Sequence, residues 1–310
     1  MKPAPLNGSR GYTIGVLTHV AWGFFPLYFS LLHPAGAFEV IVHRAVWGFA
    51  FCVFVLAVTR RFYQVKDLLA DRRTALLLAV AGFFVLNNWT IYVWAVMNDH
   101  TIDAALGYFI NPLLTVFLAG TVLKERLTVP QTISVLFGIA AIIVMIIGLG
   151  RIPWVAVGLP ATFAFYGLIK KQVSTTAPVV SGMLIETAAV TPMLLIYFGW
   201  LTWQRKTSFQ TLMGEGASGL ELSGHAALLV GSGVLTVVVL IMFASAARLL
   251  NLAVLGLLQY IAPIMQLLIG VLIFHEHMEP ARWIGTGLIW IGLVILTWDS
   301  LRHQPASSGR

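Results

Sequence analysis

The sequence predicts an all-α integral membrane protein with ten transmembrane helices, arranged as two inverted five-helix repeats. The first observation is composition: 59% of the 310 residues are hydrophobic, 10% are charged, and the mean hydropathy is +0.89, which is too apolar for a surface that faces water. The second is a series of apolar stretches long enough to cross a bilayer. The third is a duplication, because Pro112 and Glu125 recur as Pro263 and Glu276, displaced by 151 positions.

The apolar stretches are separated by short polar gaps. They cover about 12–32, 38–58, 75–96, 102–123 and 130–149 in the first half, and about 153–170, 179–200, 225–247, 252–274 and 280–298 in the second. Each is close to the roughly 20 residues that a membrane helix needs. The sequence therefore predicts repeats at 11–149 and 153–298, cytoplasmic tails at 1–10 and 299–310, and one sizeable loop at about 201–224.

The distribution of Lys and Arg predicts the orientation in the membrane. With a cytoplasmic N-terminus, 14 of the 19 basic residues lie inside, 4 lie outside and Arg44 lies within a helix, as the positive-inside rule requires. Both termini are then cytoplasmic. Because each repeat has five helices, the second enters the membrane from the opposite side, an arrangement typical of transporters with a midplane site and alternating access.

Two other function classes are disfavoured by the same features. The net charge of +7 does not indicate nucleic-acid binding, because the basic residues lie in short gaps and not in a patch with stacking aromatics. A single cysteine, Cys52, excludes an internal disulfide and a cysteine metal cluster. We predict no cofactor and no metal, since the spacing in His275-Glu276-His277 does not match a helical zinc motif.

Pro112 and Pro263 lie near the middle of the predicted fourth and ninth helices. Each proline removes a backbone hydrogen bond and displaces the carbonyl four residues earlier, which belongs to Tyr108 or Gln259. In one interpretation the paired kinks are hinges that line the site. In the other they are bends that membrane helices tolerate.

Several motifs resemble the EamA family of the drug/metabolite transporter superfamily. They are Trp22-Gly23, the repeated proline and glutamate, and the five-plus-five topology. Within that family the chain is similar to RarD-type proteins, named for chloramphenicol sensitivity, in His43-Arg44, Asn88-Trp89, Trp94-Ala95-Val96, Leu106 to Pro112, Phe165 to Leu168, Leu184 to Thr187 and Gln259-Tyr260-Ile261. The resemblance covers about 11–298. It implies secondary transport of a small organic solute, a metabolite or drug-like compound, across a bacterial inner membrane.

Charged residues inside membrane helices usually mark a pathway or a pair, because a charge at the bilayer centre costs at least about 2.5 to 3.5 kcal/mol. Arg44 and Glu186 lie well inside predicted helices. Glu186 either binds a coupling proton or a cationic substrate group, or is satisfied by neighbouring helices. His43 and Arg44 either bind an anionic substrate group or hold the two halves together, with Arg44 close enough to the outer surface to snorkel.

The predicted substrate site is an amphipathic pocket. Its residues are Asn88, Trp89, Tyr92, Tyr108, Asn111, Tyr166, Gln259 and Tyr260. The alternative for the aromatic members is a packing or interfacial role. Glu125 and Glu276 are predicted to hydrogen-bond the start of the following helix, while His19 shares a packing seam with Gly11, Gly15 and Gly23.

Other classes of membrane protein stay open as alternatives. A channel or a receptor would explain the helices but not the inverted duplication, and a channel usually shows rings of charge or a filter loop. An intramembrane enzyme would need a nucleophile with a base or a metal cluster, and neither is visible in the sequence. The expected partners are the lipid bilayer, a small-molecule substrate and protons as coupling ion. Both a monomer and a dimer are compatible with the fused repeats.

Overall fold

The computed structural model describes residues 8–122, 124, 126–173, 176–250 and 252–302. All regular secondary structure in these residues is helical. In chain order the helices are α1 (Gly8–Gly23), α2 (Phe25–Ser30), α3 (Ala37–Val58), α4 (Phe62–Ala70), α5 (Arg72–Met97), α6 (Thr101–Thr121), α7 (Val129–Leu149), α8 (Trp154–Val173), α9 (Val179–Trp203), α10 (Ser208–Gly214), α11 (Gly219–Leu249), α12 (Leu252–Leu258), α13 (Ile261–Leu272) and α14 (Pro280–Arg302). The all-α fold class is confirmed for the described residues.

Eight stretches within the described residues are long and apolar enough to cross a membrane. They are Ala37–Val58, Arg72–Met97, Thr101–Leu118, Val129–Leu149, Val179–Gly214, Gly219–Leu249, Val254–Leu272 and Pro280–Asp299. The chain is therefore a multi-pass membrane protein. The predicted spans at 12–32 and 153–170 are also largely helical, in α1, α2 and α8, but are not among the eight. The count of ten spans and the inverted repeats stay predictions.

The helices group into two compact units that differ from the linear halves of the chain. The first unit contains residues 8–24, 99–164 and 246–302, and the second contains 25–98 and 165–245. Each unit thus takes helices from both predicted repeats. In α8, the boundary falls between Ala164 and Phe165.

The core of the first unit is formed by α6, α7, α13 and α14 with the start of α8. Phe109, Met145 and Ile289 are among its fully buried side chains. The core of the second unit joins α3, α4, α5, α9, α11 and the end of α8, with Cys52 and Leu78 completely buried. Cys52 is therefore a packed apolar residue.

The ninth predicted helix differs from the prediction at its proline. The stretch 252–274 is interrupted, because α12 ends at Leu258 and α13 begins at Ile261. Pro263 consequently lies in the first turn of α13, where a missing N–H costs little, and not in mid-helix. Pro112 lies inside the uninterrupted α6. The two prolines are therefore not equivalent in backbone geometry, and Gln259 lies in a turn.

Local hydrogen bonds explain two further differences from the predicted boundaries. Asp71 caps α5 by accepting from the Arg73 N–H at 3.0 Å and the Thr74 hydroxyl at 2.6 Å, so the helix begins at Arg72. The same bonds, that of Thr74 first, hold the pKa of Asp71 below its usual value. The predicted loop at 201–224 instead contains α10 and the start of α11. Thr207 and Gln210 form a capping box that begins α10.

Candidate functional site

A buried ion pair lies in the second unit between α8 and α9. Lys170 Nζ lies 2.5 Å from Glu186 Oε1, and the Tyr166 hydroxyl donates to Glu186 Oε2 at 3.3 Å. The Glu186 side chain is 3% exposed and the Lys170 side chain 25%. Glu186, which the sequence marked as a charge inside an apolar stretch, thus has a partner in Lys170, which the sequence did not indicate.

Two glycines create the space for this pair. A Cβ atom at Gly82 of α5 would lie 2.4 Å from the backbone oxygen of Glu186, so α5 and α9 approach closely at this point. A Cβ atom at Gly182 would lie 3.2 Å from Lys170 Nζ. The ammonium therefore lies against the glycine face of α9, one turn before Glu186.

Arg44 is held inside an aromatic cluster of the second unit. Its guanidinium carbon lies 4.4 Å from the ring centre of Trp89, 5.3 Å from that of Phe29 and 5.8 Å from that of Phe25, which is cation–π geometry. Arg44 Nε also donates to Thr236 Oγ1 at 2.9 Å. The residue is 5% exposed, so its guanidinium lies inside the unit and not at the protein surface. The aromatic rings and the hydroxyl stabilise the charge at depth.

The other predicted residues of the second unit lie around the same helices. Asn88 and Tyr92 are buried, and the Tyr92 ring packs edge-on against Phe29 at 6.0 Å. His43 is half-buried, with its ring 5.3 Å from that of Phe198. His43 Nε2 has no hydrogen-bond partner among the described residues. Trp89 therefore contacts Arg44 directly, and Tyr92 contacts it through the ring of Phe29. Tyr166 instead hydrogen-bonds Glu186.

The first unit holds the remaining four predicted pocket residues. Tyr108 and Asn111 lie on α6 and are half-buried. Tyr260 is half-buried and forms a side-chain hydrogen bond with Thr297, while Gln259 is exposed. The contacts within this unit thus bring Tyr260 to α14.

A second buried ion pair, in the first unit, was not predicted. Arg282 Nε and Nη2 donate to the two oxygens of Asp103 at 2.9 and 3.1 Å, although the residues are 179 positions apart. Arg282 also donates to the carboxylate of Glu279, and His100 Nδ1 lies 3.2 Å from Asp103. Asp103 belongs to no motif in the sequence, and its only local feature is its place in the first turn of α6.

Glu276 caps a different helix from the one predicted. Its Oε1 and Oε2 accept hydrogen bonds from the backbone N–H groups of Thr101 and Ile102 at 2.7 and 2.9 Å. The carboxylate therefore closes the N-terminus of α6, where free N–H groups attract an anion, and not that of α14. Its repeat counterpart, Glu125, lies outside the described residues.

A third buried polar cluster, in the second unit, fixes α10. Ser208 donates its backbone N–H to both oxygens of Glu39 at 3.0 Å and its hydroxyl to Glu39 Oε1 at 2.9 Å. His225 Nε2 lies 2.8 Å from the same hydroxyl. Glu39, Ser208 and His225 are all buried. The cluster ties α3, α10 and α11 together, and no sequence motif indicated it.

The seam around His19 agrees with its predicted packing role. In the first unit, Cβ atoms at Gly15 and Gly23 would lie 2.7 Å from Leu258 and 2.6 Å from Met265. The His19 ring hydrogen-bonds the Gly15 carbonyl oxygen through Nδ1 at 2.7 Å. These small residues let α1 approach α12 and α13.

The arrangement offers charge and hydrogen-bonding groups. Within the described residues, no group of His, Cys, Asp and Glu side chains has the arrangement of a metal site. Two shallow apolar grooves, one between α5 and α9 and one between α7 and α14, contain none of the predicted site residues. The functional interest thus lies in the buried charges.

Comparison with known proteins identifies the family. The EamA-like transporter family model matches residues 9–147 and again residues 151–298. The chain belongs to this family of membrane transporters, and the family prediction is confirmed. It is 41% identical to Protein RarD of Streptomyces exfoliatus over 97% of this chain and 92% of that protein. It is also 37% identical to an uncharacterized transporter of Pseudomonas aeruginosa, over 97% and 99% of the two chains.

A solved structure shares the fold. A protein known from its crystal structure superposes with a TM-score of 0.59 and covers 94% of this chain and 98% of its own. The sequence identity is 18%, so the similarity concerns the fold alone.

Proposed function

We propose that the chain is a secondary transporter that moves a small organic solute, a metabolite or drug-like compound, across the bacterial inner membrane. The observation that carries this proposal is the match of one transporter family model to both halves of the chain. Duplicated halves support alternating access around a midplane cavity, in which one part of the protein rocks against the other. On this proposal the chain acts as a transporter and not as an enzyme.

The buried charges support the same function. Charged side chains are costly inside the bilayer and are usually retained for a pathway or a pair. Glu186 and Arg44 both lie within candidate spans and both are nearly inaccessible. We assign coupling or substrate contact to Glu186, Arg44 and His43, and hinge motion to Pro112 and Pro263. Substrate contact is also assigned to Asn88, Trp89, Tyr92, Tyr108, Asn111, Tyr166, Gln259 and Tyr260.

The proposed topology places both termini in the cytoplasm and the repeats in opposite orientations. Reporter fusions near Lys170 and near Thr207 test this arrangement, because the two residues lie before and after α9, the helix predicted to cross the membrane between them. We expect the fusion near Lys170 to report the cytoplasm and the fusion near Thr207 to report the periplasm. Two cytoplasmic signals would contradict the inverted repeat.

The function is tested with purified protein reconstituted in lipid vesicles. Uptake of a broad panel of labelled metabolites and drugs is measured with and without an imposed proton gradient. We expect uptake of at least one compound that depends on the protein. Protein-free vesicles and vesicles with heat-inactivated protein are the controls, and equal uptake in all three preparations for every compound would overturn the proposal.

A further inference from the structure

We infer that Lys170 and Glu186 form a proton-gated site for the anionic group of a small organic solute, such as a carboxylate. The inference deepens the proposed transport function and rests on it. It starts from the ion pair in the second unit, in which Lys170 Nζ and Glu186 Oε1 are 2.5 Å apart. As long as this contact is made, each side chain neutralises the charge of the other and neither binds a solute.

The unequal burial of the two partners indicates which of them meets the solute. The Lys170 side chain is 25% exposed, whereas the Glu186 side chain is 3% exposed. The ammonium therefore covers the carboxylate, and a solute that approaches from the accessible side meets a cation. A proton is small enough to reach the carboxylate, but an organic cation would first have to displace Lys170.

The surroundings of Glu186 contain no competing charge among the described contacts. The groups that face it from the neighbouring helices are Lys170 and Tyr166 of α8, the Cys52 thiol of α3 and Gly82 of α5. Helix α4 contacts α9 through the hydrogen bond from Ser181 to Gln64, and its charged residues Lys66 and Asp67 are exposed. Within these contacts, the change that releases Lys170 is one in Glu186 itself.

Protonation of Glu186 supplies that change. A proton from water binds Oε1 and neutralises the carboxylate, and the attraction that holds Lys170 Nζ is lost. The ammonium keeps its own proton and its charge, and the solute anion takes the place of the carboxylate. The site is neutral in both states, because one proton and one anion enter together. No uncompensated charge is left at membrane depth, where it would be costly.

Binding of the proton and of the anion must then favour each other by the same factor. Infrared difference spectroscopy of the purified protein in lipid nanodiscs measures this coupling directly. The signal is the carbonyl band of protonated Glu186, identified by its absence in Glu186→Gln, and followed as a function of pH. The probes are benzoate and benzylammonium, which have similar shapes and opposite charges.

We expect benzoate to raise the midpoint pH of this band by about one unit, which corresponds to a tenfold coupling. Benzylammonium should leave it unchanged. Lys170→Met should raise the midpoint without benzoate and abolish the response to benzoate, while Lys170→Arg, which keeps the charge, should retain the response. A folded Lys170→Arg variant keeps the test valid even where Lys170→Met does not fold.

Three results would overturn the inference: a midpoint that benzoate does not move, a response to benzoate that survives in Lys170→Met, or a lowering of the midpoint by benzylammonium, which indicates a cation site. The uptake panel separates this inference from the proposed function. Uptake without a benzoate response overturns the anion site alone, whereas the lack of uptake for every compound overturns the transporter.

Discussion

Arg282 binds Asp103 through two parallel hydrogen bonds, at 2.9 and 3.1 Å, that join the start of α14 to the start of α6. Both residues are less than a tenth exposed. A bidentate guanidinium–carboxylate pair fixes direction as well as distance. This contact therefore sets how the two helices of the first unit meet at one end.

Removal of one partner of this pair should destabilise the protein strongly. In Arg282→Met the carboxylate of Asp103 stays buried without its main partner, and we expect a loss of about 3 to 5 kcal/mol. Arg282→Lys should recover only part of it, because an ammonium cannot form the same fork. The measurement is the melting temperature of purified protein in detergent. Arg151→Met, at an exposed arginine, is the control, and equal melting temperatures for both variants would disprove the role of the pair.

Glu276→Ala should loosen the start of α6. The backbone N–H groups of Thr101 and Ile102, which donate hydrogen bonds to the carboxylate, lose their partner. We expect the free energy of unfolding to fall by about 1 to 2 kcal/mol. Hydrogen exchange should accelerate at these amides and not in α7. Glu215→Ala, at an exposed glutamate, serves for comparison. Unchanged exchange at Thr101 and Ile102 in Glu276→Ala would contradict the capping role.

Gly82→Ala should force α5 and α9 apart. The added methyl group would lie 2.4 Å from the backbone oxygen of Glu186, and backbone atoms cannot move aside as a flexible side chain can. We expect a loss of about 1 to 3 kcal/mol, as for other overpacked sites, together with impaired uptake. At Gly199 of α9 no atom lies within 4 Å of an added Cβ. Gly199→Ala should therefore be neutral, and a similar loss in both variants would point to a general effect of alanine.

Ser208→Ala should weaken the attachment of α10. The Ser208 hydroxyl donates to Glu39, so His225 Nε2 must be the donor to the same oxygen. The substitution leaves the buried imidazole without this acceptor and removes one donor to the carboxylate, at a cost of about 1 to 3 kcal/mol. Protease cleavage in the α9–α11 connection reports the release of α10. Ser223→Ala, at an exposed serine, is the control. Equal resistance of the two variants to the protease would contradict the role of Ser208 in attaching α10.

Hydropathy was sufficient to locate the apolar helices, because the length and composition of a span are local properties. Pro263 marked a disturbance at the Gln259 carbonyl, but the full break at Gln259 and Tyr260 could not be predicted, since residues 252–274 form one mainly apolar stretch and hydropathy carries no information about a missing hydrogen bond. The same residue type at Pro112 leaves α6 uninterrupted. The residue type alone therefore does not determine whether the helix is interrupted.

Only some members of the buried ion pairs could be predicted from the sequence. Glu186 was identified because a carboxylate inside an apolar stretch is conspicuous, but Lys170 lies near the end of α8, where basic residues are common at the membrane surface. Asp103 and Arg282 were missed in the same way, because each lies near the start of a helix, where a charged residue is not conspicuous. Partners that are 16 or 179 positions apart become visible only when the helices are packed.

Solute counterflow distinguishes a transporter from a channel. Vesicles that contain the protein are loaded with an unlabelled compound from the uptake panel and diluted into a trace of the same compound carrying a label. Alternating access predicts a transient accumulation of label above its equilibrium level. A site that has released unlabelled solute outside returns with labelled solute, and the unlabelled solute inside competes with the label for the way out. A monotonic approach to equilibrium, without an overshoot, would contradict the proposed mechanism.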